Sequence, residues 1–252
     1  MRLGVDIPVH HISRVHELAA SQAAHASGLS PAVIHHQPGI LVLEYIDAPP
    51  LSTEALGRPE TLDRVVRLVR DAHRSVARHL RGAAGMFWPF HIVADYAATL
   101  RGSGSRYTSL LPGLLDKVTR LEEAAGPFEI VFGHNDLLAS NFLDDGHRLW
   151  LIDWDYAGFN TPLFDLGGLV SNNGLSEPQE AAILETYYGG PADKGLWRRY
   201  QAMKCASLLR ETLWSMVSEI YSTIDFDYAA YTAENLGRFE RAYELFETEG
   251  PR

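Results

Sequence analysis

Apolar residues recur at helical spacing between Ser13 and Ser27. Val15, Leu18, Ala19 and Ala23 share one face there, and Gly28 followed by Pro31 marks a stop. Ala32 to His36 predicts a short strand, Gln37-Pro38-Gly39 a turn, and Ile40 to Ile46 a second strand rich in β-branched and aromatic residues. The two strands form a candidate hairpin. Asp47-Ala-Pro-Pro-Leu-Ser52 then breaks regular structure. This predicts a division between a small β-containing piece, residues 1–47, and a mainly helical remainder, residues 48–252. In that remainder, Pro59 to Arg81 reads as a helix opened by proline, with Leu62, Val65, Val66, Leu68 and Val69 as its apolar positions. Met86 to Phe90 predicts an aromatic loop, and Leu111 to Ala125 a helix. Glu129 to Phe132 and Leu149 to Ile152 predict short strands, with a turn at Asp144-Asp145-Gly146 between them. Pro178 to Tyr188, Pro191 to Ser222 and Ala233 to Phe246 read as helices. The class is α+β, dominated by helix.

Composition narrows the partners. The chain has 252 residues and a formal net charge of −10. An acidic chain without a basic stripe excludes a general nucleic-acid binder, because nothing neutralises a phosphate backbone. A small nucleotide is still allowed, since local groups and metal ions can offset the global charge. A single cysteine, Cys205, lies in the apolar stretch Met-Lys-Cys-Ala-Ser-Leu-Leu and reads as a small buried hydrophobe. No intrachain disulfide is possible, which fits a reducing compartment. The N-terminus has no signal-like apolar run, and no segment has the length of a membrane span. A cytoplasmic protein without a membrane partner is the expectation.

The chemistry gathers between residues 132 and 155. Phe-Gly-His-Asn-Asp-Leu-Leu-Ala-Ser-Asn-Phe carries His134, Asp136 and Asn141, and Leu-Trp-Leu-Ile-Asp-Trp-Asp carries Asp153. This is the order and spacing of a kinase catalytic loop followed by a metal-binding aspartate. A carboxylate at Asp136 can orient an attacking hydroxyl and accept its proton. Magnesium prefers oxygen ligands, so the Asn141 amide oxygen and the Asp153 carboxylate suit it. Asp155 would share the face of Asp153 on an extended strand, unless the backbone turns there. A metal hydrolase built on His134, Asp136 and Asp153 would need further ligands. The pairs His10-His11 and His35-His36 do not supply a zinc pattern, because adjacent strand positions face opposite ways.

Three segments in order, His-Asn-Asp-Leu-Leu-Ala-Ser-Asn-Phe, Leu-Trp-Leu-Ile-Asp-Trp-Asp-Tyr-Ala-Gly-Phe-Asn and Pro-Leu-Phe-Asp-Leu-Gly-Gly-Leu, resemble the aminoglycoside phosphotransferase and choline kinase superfamily. Asp155 to Asn160 looks like the Glu-Tyr-x-x-Tyr-Asn of the choline/ethanolamine kinase branch. Leu213-Trp-Ser-Met-Val217 and Ser222-Thr-Ile-Asp-Phe-Asp-Tyr228 resemble that branch's C-terminal helix and the stretch after it. The resemblance spans about residues 13–246. It implies a protein-kinase-like two-lobed fold, with an incomplete N-terminal β lobe and a mainly helical C-terminal lobe, together with ATP and Mg2+. It implies Asp136 as base, His134 supporting the loop, Asn141 and Asp153 as metal ligands, and Asp165 as the carboxylate that braces the loop. Glu17 falls where the family pairs a glutamate with the phosphate-contacting basic residue. Arg2 is the candidate for that residue, and Glu44, Tyr45 and Ile46 fall at the hinge that meets adenine.

A quaternary ammonium favours aromatic faces through the ring quadrupole. Tyr156 and Trp214 lie where the branch has cage aromatics, Tyr228 and Tyr231 are further candidates, and Glu211 is a carboxylate able to pair with an ammonium. The acceptor implied is a small cationic alcohol, choline or ethanolamine. A homodimer is allowed. A kinase small lobe opens with a glycine-rich hairpin over the phosphates, whereas this chain opens at the tail of the basic strand. A start further upstream or a truncation is therefore expected. Two other readings stand beside the amino-alcohol kinase: a kinase for aminoglycosides or another small molecule, and a kinase-fold binding protein of weak activity.

Overall fold

A computed structural model describes residues 1–248 of the chain. Its first elements are β1 (Arg2–Leu3), α1 (Arg14–Ala26), β2 (Val33–Gln37), β3 (Ile40–Leu43), α2 (Thr53–Leu56), α3 (Pro59–His79), α4 (Pro89–Gly102) and α5 (Leu111–Ala125). They are followed by β4 (Val131–Gly133), β5 (Phe142–Asp144), β6 (Leu149–Leu151), β7 (Gly158–Asn160), α6 (Pro162–Asn173), α7 (Glu177–Tyr188), α8 (Lys194–Tyr221) and α9 (Tyr228–Thr248). Helices dominate, and the strands lie in small antiparallel sheets, as an α+β kinase-like fold requires. Contacts divide the chain into two compact units. One comprises residues 1–87 and 129–192; the other comprises 88–128 and 193 onward. Residues 1–47 thus lie within the first unit.

In the first unit, β1, β3 and β2 form a sheet in that order. The β2–β3 turn is Pro38-Gly39, with Gly39 at φ 80°. Proline presets the first turn position and glycine accepts the left-handed second one. Pro59 opens α3, Glu60 sits in its first turn, and Arg78 and His79 sit in its last, an arrangement that suits the helix dipole. Leu62, Val65, Val66, Val69, Ala72, His73 and Val76 form its buried stripe. Burying each of the larger aliphatic side chains favours folding by about 1.5–3 kcal/mol.

Several elements differ from the sequence pattern. The hairpin expected at the Asp144 to Gly146 turn is present as β5 paired with β6, whereas the pairing of β4 with β7 is not evident in that pattern. Helix α6 has no counterpart in the hydrophobic periodicity. Residues 162–171 and Asn173 are buried, so no polar face marks the helix, and Gly167-Gly168 lowers its intrinsic propensity. The aromatic stretch at 86–90 runs into α4, whose first residue is Pro89.

In the second unit, α8 packs against α9, α4 and α5. Its buried residues include Tyr200, Leu209, Leu213 and Met216, and Cys205 is fully buried among them. Among the described residues, no helix is long and apolar enough to cross a membrane.

Gly158 in β7 is held against the chain at residues 85–87. The Phe159 amide donates to the Gly85 carbonyl at 2.9 Å, and the Phe87 amide donates to the Phe159 carbonyl at 2.9 Å. A Cβ added at Gly158 would lie 2.9 Å from the Gly85 carbonyl oxygen, a backbone atom pinned by that pairing. Gly158→Ala should therefore destabilise by about 1–3 kcal/mol. Gly113→Ala in α5, where a Cβ meets nothing within 4 Å, should be neutral or stabilising by up to about 1 kcal/mol. Chemical denaturation of the two variants checks both; equal stability of the two would contradict the packing.

Candidate active site

Residues 133–141 cross from β4 to β5, and buried polar groups on α6 hold their backbone. The Asp165 carboxylate accepts from the His134 amide at 2.8 Å, the Asn135 amide at 2.6 Å and the His73 ring at 2.8 Å. Further along, the Asn173 side chain accepts from the Ala139 amide at 2.7 Å and donates to the Leu137 carbonyl at 2.8 Å. Asn135 sits at φ 65°, in the left-handed region that asparagine tolerates best after glycine. Its side chain donates to the Tyr156 carbonyl at 2.9 Å, tying the loop to the segment before β7.

Electrostatics fixes the protonation of this core. Burial alone would raise the Asp165 carboxyl. The hydrogen bond and charge of His73, with help from His134, outweigh it and hold the group below the usual carboxylate range. His134 is pushed down by burial, against the pull of Asp165. Its hydrogen bonds agree with a neutral ring: Nε2–H donates to the Ile152 carbonyl at 2.9 Å, and Nδ1 accepts from the Asp136 amide at 3.3 Å. The ring also packs on Trp154, with centroids 4.8 Å apart. Trp154 in turn donates to Ser30 at 2.9 Å.

Asp136 is partly exposed at the bend of the loop, and Asn141 donates from Nδ2 to the Asp136 carbonyl at 2.9 Å. That hydrogen bond leaves the Asn141 amide oxygen as the atom a hard cation would take. The strand ends at Leu151, and Asp153 takes φ 69°, so the backbone turns where simple alternation would have run on. Asp153 and Asp155 nevertheless both reach Arg2. The Arg2 guanidinium lies 2.6 Å from Glu17 and 3.1 Å from Asp153, and it also pairs with Asp155. Carboxylate oxygens of Glu17, Asp153 and Asp155 lie within 4.8 Å of one another. Arg2 and Arg14 already engage the two less exposed members, Glu17 and Asp155, so the exposed Asp153 carboxylate is the hard oxygen donor of the set most open to a divalent cation such as magnesium.

The remaining predicted positions divide between the units. Glu44 and Tyr45 are exposed, the Glu44 amide donates to the Ala32 carbonyl at 2.8 Å, and the Ile46 carbonyl accepts from Ala48 at 2.9 Å. In the first unit, Tyr156 packs edge-on to Phe87 at 6.1 Å. In the second unit, Trp214 lies 6.1 Å from Tyr228 and 6.5 Å from Tyr231, and Phe226 lies 5.0 Å and 5.6 Å from the same two tyrosines. Glu211 accepts from the Tyr231 hydroxyl at 2.9 Å and from Arg210 at 2.8 Å. Burial, and then the Glu211 charge, push the Tyr231 hydroxyl up, so it stays a donor.

Sequence reasoning did not single out Arg14, His73, Asn135, Asn173 or Phe226 as site residues. His73 interrupts the otherwise apolar buried stripe of α3, where a polar residue asks for a partner, and Asp165 is that partner. Asn173 carried no signal, because its helix had none.

Asp165→Asn should destabilise the protein by roughly 2–4 kcal/mol, because an amide nitrogen would then face N–H donors in a buried site. The pH dependence follows from the lowered carboxyl: its contribution is complete above about pH 4, the unfolded value, and disappears as pH falls through the folded value. The gap between the wild-type protein and the variant should close only below about pH 4. His134, neutral when buried, should make stability fall earlier, as pH drops below about 6.5. Urea titrations across pH 3–8 check both windows.

The sequence profile of the choline/ethanolamine kinase family matches residues 2–182. Protein LicA of Haemophilus influenzae is 26% identical over 251 residues, covering 94% of this chain and 89% of the relative. Ethanolamine kinase of Drosophila melanogaster is 26% identical over 241 residues, covering 82% of this chain and 46% of the longer insect protein. The crystal structure of a choline/ethanolamine kinase family protein from Mesorhizobium loti superposes with a TM-score of 0.82 at 29% identity, covering 94% of this chain and 82% of that one. With a profile match over most of its length and a shared fold, this chain belongs to the choline/ethanolamine kinase family of small-molecule kinases.

Proposed function

We propose that the protein transfers the γ-phosphoryl group of ATP to the hydroxyl of a small amino alcohol, choline or ethanolamine. One observation carries this reading: the first unit alone holds a braced loop presenting Asp136 and, tied to that loop through His134 and Ile152, the segment whose Asp153 and Asp155 join Arg2 and Glu17. Asp136 orients the acceptor hydroxyl and takes its proton as the new bond forms. His134 stays neutral and holds the Asp136 backbone through its amide. Asn141 and Asp153 are the metal ligands, and Arg2, positioned by Glu17, meets the phosphates. The backbone at Glu44 to Ile46 meets the adenine. Magnesium-ATP, when bound, supplies the transferable group and the positive charge that offsets its oxygens.

The acceptor's cation is assigned to aromatic faces. Trp214, Tyr228, Tyr231 and Phe226 form one ring cluster in the second unit, where Tyr231 also donates to Glu211. Tyr156 is the candidate ring of the first unit. Glu211 already accepts from Arg210 and Tyr231, so ring quadrupoles carry more of the attraction than its charge does. The family takes its name from choline and ethanolamine, the Drosophila relative is an ethanolamine kinase, and both alcohols carry a cation of the kind this cluster suits.

ADP release measured over a panel of choline, ethanolamine and aminoglycosides tests the assignment. The amino alcohols should be the preferred acceptors. Asp136→Ala should lower kcat by about 100-fold or more. Trp214→Ala should raise the KM for the amino alcohol by about 2–30-fold, the worth of one ring, with the KM for ATP little changed. Full activity in Asp136→Ala, or preferred turnover of an aminoglycoside, would overturn the reading.

A further inference from the structure

Arg2 makes more contacts than one guanidinium can keep while meeting a nucleotide. It spans Glu17, Asp153 and Asp155, and in the proposed reaction it must also turn toward phosphate. If it left, Glu17 and Asp155 would remain as two largely buried carboxylates at close range. Their side chains are only 4% and 10% exposed. Unpaired buried charges of one sign repel and carry a desolvation cost, so a second cation is needed to hold them in place.

Arg14, in the first turn of α1, meets that need. Its Nη1 donates to Glu17 at 2.9 Å and to both oxygens of Asp155 at 3.2 Å. The Nε donates to the Val5 carbonyl at 3.0 Å, and the backbone amide donates to Asp6 at 2.7 Å. One residue thereby ties together the segment after β1, helix α1 and the segment after β6. The planar fork of arginine can make these contacts at once, whereas an ammonium is a single point of charge. The approach is close enough that a Cβ at Gly4 would lie 3.6 Å from Nη2. Gly4 also adopts φ 157°, a backbone conformation that L side chains rarely take.

We infer that Arg14 is a positioning residue for the reaction: it holds Glu17 and Asp155 in register so that Arg2 is free to engage the nucleotide phosphates. This rests on the kinase reading. Arg14 itself does not touch the reacting atoms. It lines a cavity of about 520 Å3 together with Arg2 and Glu17, with Val15, Leu18 and Ile40 as apolar walls.

The test is calorimetric binding of magnesium-ATP, with no acceptor, to the wild-type chain and to Arg14→Gln, Arg14→Lys, Asp155→Asn and the Arg14→Gln/Asp155→Asn double variant. Melting temperature is recorded for each. Arg14→Gln should weaken binding by about fivefold or more, and Arg14→Lys should recover only part of the loss, because charge without the fork is insufficient. In the Asp155→Asn background, Arg14→Gln should cost no more than about twofold, since the two side chains act as a unit. Affinity within about twofold of wild type in folded Arg14→Gln or Arg14→Lys, or a loss of equal size in both backgrounds, overturns the inference. Should Arg14→Gln fail to fold, Arg14→Lys decides the matter alone. Wild-type protein that binds magnesium-ATP but phosphorylates no amino alcohol overturns the proposed acceptor and leaves Arg14 judged by binding. Wild-type protein that binds no magnesium-ATP overturns both.

Discussion

The buried carboxylate of Asp165 is the interaction on which the rest of the first unit depends. A charge removed from water must be fully solvated by the protein, and here two consecutive backbone amides and a histidine ring supply that solvation. The amides belong to His134 and Asn135, so the need to satisfy Asp165 dictates the path of the loop just before Asp136. Asn135 accepts a left-handed backbone in return, a strain of about 1 kcal/mol that the hydrogen bonds outweigh. The position of Asp136 therefore follows from a charge that never meets solvent.

A second layer transmits the constraint outward. His73 on α3 binds Asp165 through one ring nitrogen and lies 2.8 Å from the Tyr187 hydroxyl of α7 through the other. His134 joins the loop to the backbone at Ile152, one residue before Asp153. Two loops distant in sequence are thus coupled by one neutral imidazole. Where the chain turns at Asp153, the carboxylates that follow meet guanidinium groups from β1 and α1, and the network of Arg2, Arg14, Glu17, Asp153 and Asp155 closes. Both arginines and Glu17 lie within residues 1–17, so that segment supplies both guanidinium groups and one carboxylate of the network.

The second unit follows a different logic. Its core is α8, whose buried side chains are mainly apolar but include polar groups such as Ser215, which pairs with Thr232 of α9 at 2.7 Å. The aromatic cluster around Trp214 sits where that helix gives way to the 222–227 segment, and Phe226 remains half exposed. Of its rings only Phe226 is exposed, Tyr228 is buried, and the Glu211 carboxylate beside them is already engaged by Arg210.

Much of this was legible in the sequence because it is written in local pattern. The loop motif, the Asp136 to Asn141 spacing, Asp153 and Asp165, and the stripes of α1, α3 and α5 depend on residues near one another in the chain. Local spacing determined the class of chemistry and most of the helices. Tertiary structure alone decided the pairing of β4 with β7, the existence of α6, and the roles of His73, Asn173 and Arg14. A helix buried on every side has no amphipathic signature. Partners for a buried charge are chosen by proximity in the fold, and 141 positions separate Arg14 from Asp155. The sequence named the candidate reacting groups, and only the folded chain showed which charges surround them.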